Sequence, residues 1–276
     1  MMRSLWTAAS GMRAQQVNVD TIANNVANIN TIGYKSQQAS FKSLLYQNLQ
    51  STSTNNAGEN KPVAAEVGLG SRVAAITSTF TQGNLTHVEN PFSVALEGDG
   101  FFQIRTESGE LQYTRDGSFE ISPVANGNML CTSDGNPVLD VYGNAIVLPS
   151  NRVATDLVVN QDGTLAFPDG TGNPAVITDA NGRPVKFGIY QFNNPAGLSK
   201  EGSNNYSVTV ASGAAVAENG NAAVKQTKTH QYYTEASNVD VANEMVNLIV
   251  AQRAYEMNSK AIQASDEMMQ QANALR

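Results

Sequence analysis

The sequence predicts an α+β protein: long N- and C-terminal α-helices that pair as a coiled coil, with a central antiparallel β-rich domain between them. Three observations carry this. Near the N-terminus Leu5, Ala8, Met12, Gln15, Val19, Ile22, Val26 and Ile29 alternate spacings of three and four, a heptad seam. Near the C-terminus Val241, Leu248, Tyr255, Ile262 and Met269 fall at strict seven-residue intervals. Between them FSVALE, GFFQIR, ELQYTR, DLVVN and KFGIYQF are short β-branched and aromatic runs of period two.

Taken in order, residues 1–45 form the N-terminal helix region, with Ser4 as N-cap and Gly33 as left-handed terminator, a helix of about 40 Å at ~1.5 Å per residue. Residues 46–70 read as an extended connecting segment, and the small polar stretch Ser51 to Gly70 as irregular. Residues 71–229 are the β-rich domain, its strands ending by about residue 210. Turn pairs punctuate them at Asp99-Gly100, Ser108-Gly109, Asp116-Gly117, Asp134-Gly135, Asp162-Gly163 and Asn181-Gly182. Ala211 to Thr229 reads as irregular. Residues 230–276 carry the C-terminal helix, capped by Asn238 or Asp240, with Glu244 in its first turn and Glu256 and Lys260 as an i,i+4 pair.

With 24 acidic against 17 basic residues, the net charge of −7 offers no basic stripe for a phosphate backbone, so nucleic acid is not an expected partner. Cys131 is the one cysteine, which excludes an internal disulfide and paired-cysteine zinc sites; it reads as a buried strand thiol. The first residues lack the apolar run of a secretory signal, and no segment approaches the ~18 apolar residues of a membrane span. These features fit a cytoplasmic protein or one exported without signal cleavage.

The chain offers few parts for chemistry. His87 and His230 stand outside any metal-ligand spacing. Asp99, Asp116, Asp134 and Asp162 each precede glycine between strand-like runs and read as turn residues before they read as acid/base pairs. Leu96 to Phe102, LEGDGFF, lacks the third glycine and following helix of a dinucleotide loop, and Asp134 to Asn144 lacks EF-hand ligand spacing. No catalytic triad can be assembled, so the expectation is a non-enzyme with no cofactor, metal or small-molecule substrate.

The informative residues are amides. IANNVANINTIGYK, residues 22–35, places Asn24, Asn25, Asn28 and Asn30 on a helix in which only Arg13 and Asp20 are charged between Leu5 and Ile32. A water-facing helix carries more charge than this, whereas amides tolerate burial when their donors and acceptors are paired. A plain helix pair within one chain fits the periodicity; the low charge favours coverage by further copies. On that reading the end helices are mobile in the monomer and order on assembly.

The same block resembles the N-terminal signature of the bacterial flagellar rod, hook and hook-associated axial proteins. SNVDVANEMVNLIVAQRAYEMNSKAI, Ser237 to Ile262, resembles their C-terminal signature. Thr81 to Ile104 and YTRDGSF, Tyr113 to Phe119, are similar to the central domain of the rod and hook members, and MMRSLWTAASGM with the segment from LLYQNLQ to EVGLGSRV is most similar to distal rod members. His230 to Val239, HQYYTEASNV, departs from the family's glycine-containing run before SNV.

The resemblance implies a structural rod subunit that self-assembles into a helical tube, transmits torque from motor to hook and leaves a channel for export; a proximal rod or hook protein is the alternative. It implies an assembly interface at Leu5, Met12, Val19, Ile22, Asn24, Asn25, Val26, Asn28, Ile29, Gly33, Val241, Leu248, Tyr255, Ile262 and Met269. It implies as partners copies of the chain itself, other rod proteins, the hook protein, the flagellar export apparatus, and ring proteins where an outer membrane is present. The implied location is the basal body outside the cytoplasmic membrane, reached without a cleaved signal.

Overall fold

Two helices frame the chain in the computed structural model, which describes residues 2–50, 65–124, 127–150, 152–168, 174–179, 182–220 and 224–274. The protein is α+β. The N-terminal helix α1 spans Met2–Ala27 and the C-terminal helix α2 spans Val241–Ala274. These helices and Gln37–Ser78 form one unit, the terminal unit. Asn28–Ser36 and Thr79–Val239 form a second, the central unit.

In the terminal unit the register of the helices follows from three contacts. Ser4 Oγ meets Ser265 Oγ at 3.3 Å, a Cβ placed on Gly11 would lie 2.9 Å from Asn258 Nδ2, and Asn25 Nδ2 donates to Glu244 Oε1 at 3.0 Å. As one residue number rises the other falls by the same amount, so the helices run antiparallel. Each contact row advances by seven or fourteen residues. The facing residues are small or polar, and Ala251, on this row of α2, is 1% exposed. Small side chains allow close approach of the two helix axes. The larger seam residues Leu5, Met12, Val19 and Val26 are only half-buried, whereas Ile22 is buried; on α2, Leu248, Ile262 and Met269 are half-buried and Val241 and Tyr255 exposed.

The helix ends differ in detail from expectation. Ser4 lies inside α1, and α1 stops at Ala27 with Gly33 six residues further on. Asn28 O accepts from Thr31 N and Thr31 O from Tyr34 N, so two turns follow the last helical residue and the left-handed glycine lies within the second. At the start of α2 the alternatives resolve. Asp240 is the cap, its Oδ1 accepting from Ala242 N at 3.0 Å, while Asn238 is engaged elsewhere. The Glu256 carboxylate is held by Arg253 Nη1 at 2.9 Å, one turn earlier, where Lys260 was expected.

The segment after α1 makes a two-stranded ribbon. Strands β1 (Gln37–Ser43) and β2 (Tyr46–Gln50) lead out; β3 (Ala65–Gly68) and β4 (Ser71–Ser78) lead back and pair antiparallel with β2 and β1 respectively. Leu44 N donates to Gly70 O and Leu69 N to Leu45 O, which carries the ladder across the gap between strands. The segment read as irregular from Ser51 to Gly70 therefore contains a strand at its end, while residues 51–64 lie outside the described residues. Likewise β4 belongs to this ribbon, although its position in the sequence suggests the start of the β-rich domain.

The central unit is built on a six-stranded antiparallel sheet. Its order is Ser199–Gly202, Asn205–Ser207, Leu111–Thr114, Phe101–Arg105, Ile189–Gln191, Val216–Ala217. Period-two alternation sends Phe102 and Ile104 into a large apolar core with Phe119, Leu130 and Phe187. It sends Phe101 to the other face, against Tyr113, Phe192 and Tyr206. Two three-stranded meanders, one around Gly127–Cys131 and one around Leu165–Pro168, and two antiparallel pairs, Val94–Glu97 with Lys228–Gln231 and Leu85–His87 with Tyr233–Glu235, complete the described strands of this unit.

Cys131 is buried at the end of its strand. Most of the expected turn pairs hold, with glycine left-handed at 109, 135, 163 and 182, although Asn181 is outside the described residues. Gly100 and Gly117 are the exceptions: neither has a left-handed φ, and a Cβ would collide with Ile189 Cγ2 at the first and with Val94 O at the second. The stretch Ala211 to Thr229, read as irregular, contributes Val216–Ala217 to the sheet edge.

Candidate assembly site

The chain passes between its two units four times, next to residues 27, 36, 78 and 239, and each unit ties its own ends together with an asparagine. In the terminal unit Asn25, 1% exposed, donates through Nδ2 to Gln37 O at 2.8 Å and to Glu244 Oε1. Its Oδ1 accepts from Gln37 N at 2.8 Å. One amide thus satisfies both backbone groups of the first ribbon residue as a neighbouring strand would, which is why an amide and not a charge occupies this helix position. In the central unit Asn238 does the same work: Oδ1 accepts from Ser36 N at 2.7 Å and Nδ2 donates to Thr79 O at 2.8 Å and Thr81 Oγ1 at 2.9 Å. Replacing Asn25 by alanine is expected to cost the terminal unit about 2–3 kcal/mol, because Gln37 N–H and C=O lose a buried partner. Far-ultraviolet circular dichroism during urea unfolding measures it, and a change under ~0.5 kcal/mol would show that water replaces the amide.

Below Asn238 in the central unit lies a buried ion cluster. Glu235 Oε1 accepts from Lys35 Nζ at 2.6 Å and from Gly83 N at 2.9 Å, and Oε2 lies 3.3 Å from Arg115 Nη1. All three side chains are 1% exposed. Lys35 Nζ also donates to Thr81 O, Arg115 Nη2 donates to Gly98 O, and the Arg115 guanidinium sits 5.1 Å over the Phe101 ring. Burial lowers the pKa of Lys35 and that of Arg115, opposed in both by the Glu235 charge. Lys35 follows the N-terminal crossing, Glu235 precedes the C-terminal one, and Thr81 and Gly83 follow the return from the ribbon. One carboxylate therefore holds three chain segments. Gly33 belongs to the same knot: its φ is +69°, its N–H donates to Glu235 O at 2.8 Å, and a Cβ would lie 2.9 Å from both Arg115 C and Asp116 N.

The residues implied as an interface are therefore not one surface. Asn25 and Gly33 hold the chain within their units, and Ile22 is buried. Val19 and Tyr255 share a 420 Å³ groove beside Gln16, Gln252 and Glu256. Asn24 and Asn30 are exposed, and Asn28 and Ile29 are half-buried in the turns after α1. Sequence reasoning passed over Lys35, Arg115 and Glu235. Each sits inside a quoted stretch, and the available signal was an isolated charge in a chain of low charge content. It also passed over the apolar surface of the terminal unit: Trp6 is 73% exposed, Leu45 82%, Met257 65% and Val250 62%.

Charge divides unevenly between the units. The terminal unit holds eight Lys/Arg and eight Asp/Glu, net zero; the central unit holds the other nine basic and sixteen acidic residues, so the whole −7 lies there. The carboxylates considered for chemistry serve turns: Asp116 Oδ1 accepts from Ser118 N and Oγ, and Asp162 Oδ1 from Thr164 N and Oγ1. His230 Nε2 lies 2.7 Å from Glu97 Oε2 on the surface, and His87 packs against Tyr232 and Tyr233.

Comparison with known proteins matches three family profiles along this framework. Residues 5–35 match the flagella basal body rod protein profile, 95–167 the flagellar hook protein FlgE/F/G D1 domain, and 230–275 the flagellar basal body rod FlgEFG protein C-terminal profile. The flagellar basal-body rod protein FlgG of Borreliella burgdorferi is 43% identical across 100% of this chain and 99% of its own. The chain belongs to the FlgG family of flagellar basal-body rod proteins. The FlgG protein of Caulobacter vibrioides is 38% identical, and the flagellar hook-basal body complex protein FlhP of Bacillus subtilis 33%, each over the whole of both chains. Membership of a family of structural rod proteins makes this chain a structural component of the basal body. The first and last profiles end and begin around the buried cluster, at Lys35 and just before Glu235.

Proposed function

We propose that the protein is a distal rod subunit that polymerises through its terminal unit into a helical tube, which transmits torque from motor to hook and encloses a channel for exported proteins. The observation that carries this reading is the terminal unit itself, electrically neutral yet exposing Trp6, Leu45, Tyr46, Ile249, Val250 and Met257. A neutral unit can be packed against copies of itself without like-charge repulsion, and an apolar surface of this kind is an interaction site. The acidic central unit repels its neighbours and keeps growth confined to the specific contact. In the polymer α1 and α2 form a coiled coil that other copies cover, and the terminal helices gain order as they are covered. The partners on this reading are further copies, other rod proteins, the hook protein, the export apparatus and surrounding ring proteins, and export proceeds without signal cleavage.

The test is a truncation lacking residues 1–27, which leaves Asn28–Ser36 to complete the central unit. The expected product is folded and soluble but absent from rods purified from a strain in which it is the only copy. Rods of normal length in that strain would refute the proposal. The ribbon built from β1 to β4 favours the rod reading over a hook protein, since the resemblance ties a lengthened segment here to rod members.

A further inference from the structure

The terminal unit, neutral as a whole, is polar along its helix axes. The pairing of Ser4 with Ser265, Gly11 with Asn258 and Asn25 with Glu244 sets Gln16 of α1 level with Arg253 of α2. All four helix cations lie between that level and the N-terminus of α1. Arg72 lines a common groove with Trp6 and Arg13, and Lys42 stands opposite Arg72 across the β1–β4 ladder. With Glu66 of the outer ribbon included, this half carries six cations against four carboxylates among the described residues. The charges of the other half are Asp20, Asp240 and Glu244, with no cation among them.

Trp6, the chain's one tryptophan, stands on the basic half, 73% exposed, and its indole N–H has no hydrogen-bond partner among the described residues. The 420 Å³ groove between α1 and α2 lies on a different face. Ser10, whose Oγ accepts from Ser71 N of the ribbon, and Val19 of the groove are nine residues apart, about two and a half turns, so ribbon and groove flank opposite sides of α1. Trp6 is about 140° from Val19 around the helix and about ten residues, ~15 Å, from the middle of the groove along it. Val19 and Tyr255 give the groove apolar walls. Gln16 and Gln252, whose side-chain amides make no hydrogen bond among the described residues, give it free carbonyl acceptors. A tryptophan leaving water needs apolar contact for its ring and an acceptor for its N–H, and this groove offers both.

We propose that Trp6 of one copy inserts into the Val19–Tyr255 groove of a second copy whose helices run parallel to its own. Parallel docking advances the inserted copy by ~15 Å toward the C-terminal end of the receiving α1 and lays its basic half over the acidic half beneath. Arg13, about two turns beyond Trp6 on the same row, then comes beside Asp20, about one turn beyond Gln16 on the groove's rim. Neither is in an ion pair among the described residues of its own chain. Antiparallel docking into the same groove would lay the two basic halves on each other. Because tryptophan and groove are different surfaces related by an advance along the axis, the contact repeats without closing. The proposal deepens the assembly reading and rests on it.

The test uses full-length protein, with the concentration at which polymer forms read by sedimentation and the surroundings of Trp6 read by its emission. In the polymer Trp6 is expected to emit at shorter wavelength than in the monomer and to be quenched by acrylamide about fivefold less. Trp6→Ala removes the inserted ring and Gln252→Trp fills the groove, and each is expected to raise the polymerising concentration about tenfold or more. Mixed together, these two variants are expected to stop at dimers, since one chain lacks the ring and the other the groove. Asp20→Arg is expected to weaken assembly about fivefold, and Arg13→Glu in the same chain to restore it to within about twofold. All four positions are exposed, and unchanged circular dichroism confirms folding; Gln16→Trp takes the place of Gln252→Trp should that variant misfold. Polymer in which Trp6 stays as quenchable as in the monomer, a filled groove that assembles normally, mixed variants that form long polymer, or a charge reversal without rescue would each overturn this contact while leaving assembly standing. An unaltered protein that never polymerises would remove both readings.

Discussion

Glu235→Ala is expected to lower the stability of the central unit by about 3–5 kcal/mol, the range for removing one partner of a buried ion pair. The reason is what remains. Lys35 and Arg115 stay 1% exposed with no carboxylate between them, and Gly83 N–H loses its acceptor. Urea unfolding of the full chain, followed by near-ultraviolet circular dichroism of the Tyr113–Phe192 cluster, reads this unit. Fluorescence of Trp6 reads the terminal unit separately. A second variant isolates the cause: Lys35→Met, Arg115→Met and Glu235→Leu together are expected to fall within about 1–2 kcal/mol of the original, since an apolar triad needs no charge compensation. If Glu235→Ala alone loses under 1 kcal/mol, water reaches the cluster and the carboxylate is not the clasp of three segments. With the clasp weakened, rods carrying Glu235→Ala are expected to shear at lower force than normal rods.

The second large effect is at Gly33. Gly33→Ala combines a left-handed φ of +69°, costing about 1–2 kcal/mol for a residue with a Cβ, with that Cβ 2.9 Å from two backbone atoms of the 115–116 peptide. Backbone cannot rotate aside as a side chain can, so an overpacking cost of about 1–3 kcal/mol adds to it. Gly109→Ala is the control. Its φ is +85° and nothing lies within 4 Å of the built Cβ, so it carries the conformational cost alone. Equal losses at the two positions would show that the approach to Arg115 is relieved by small shifts and that Gly33 is needed only for its turn.

Much of the framework is legible because it rests on local period. The three-and-four spacing from Leu5 to Val26 makes a helix whatever surrounds it, and GFFQIR makes a strand with Phe101 and Phe102 on opposite faces. Asp240 as a cap follows from its place just before the helix. The ribbon is less legible: QQASFKS and SRVAAITS read as strands only when paired, and the pairing spans a segment of unknown register to any local argument. The buried cluster is not legible at all. Lys35 and Glu235 are separated by 200 positions, and nothing in either neighbourhood says that a lysine at the end of a helix signature will have 1% of its side chain exposed.

What the sequence alone determined is the two end helices, the strands of clearest period-two alternation and the balance of charge, because each follows from residue type and short-range spacing. Of the asparagines expected to be covered, Asn25 is buried and Asn28 half-buried, while Asn24 and Asn30 are exposed. Only the tertiary structure decided which of them act as backbone clamps and which stay in solvent. It also set the row that α1 turns toward α2, through Ser4, Gly11 and Asn25. The physical reason is that helical period fixes a direction for each side chain relative to its neighbours in sequence. What stands in that direction is set by chain segments arriving from elsewhere.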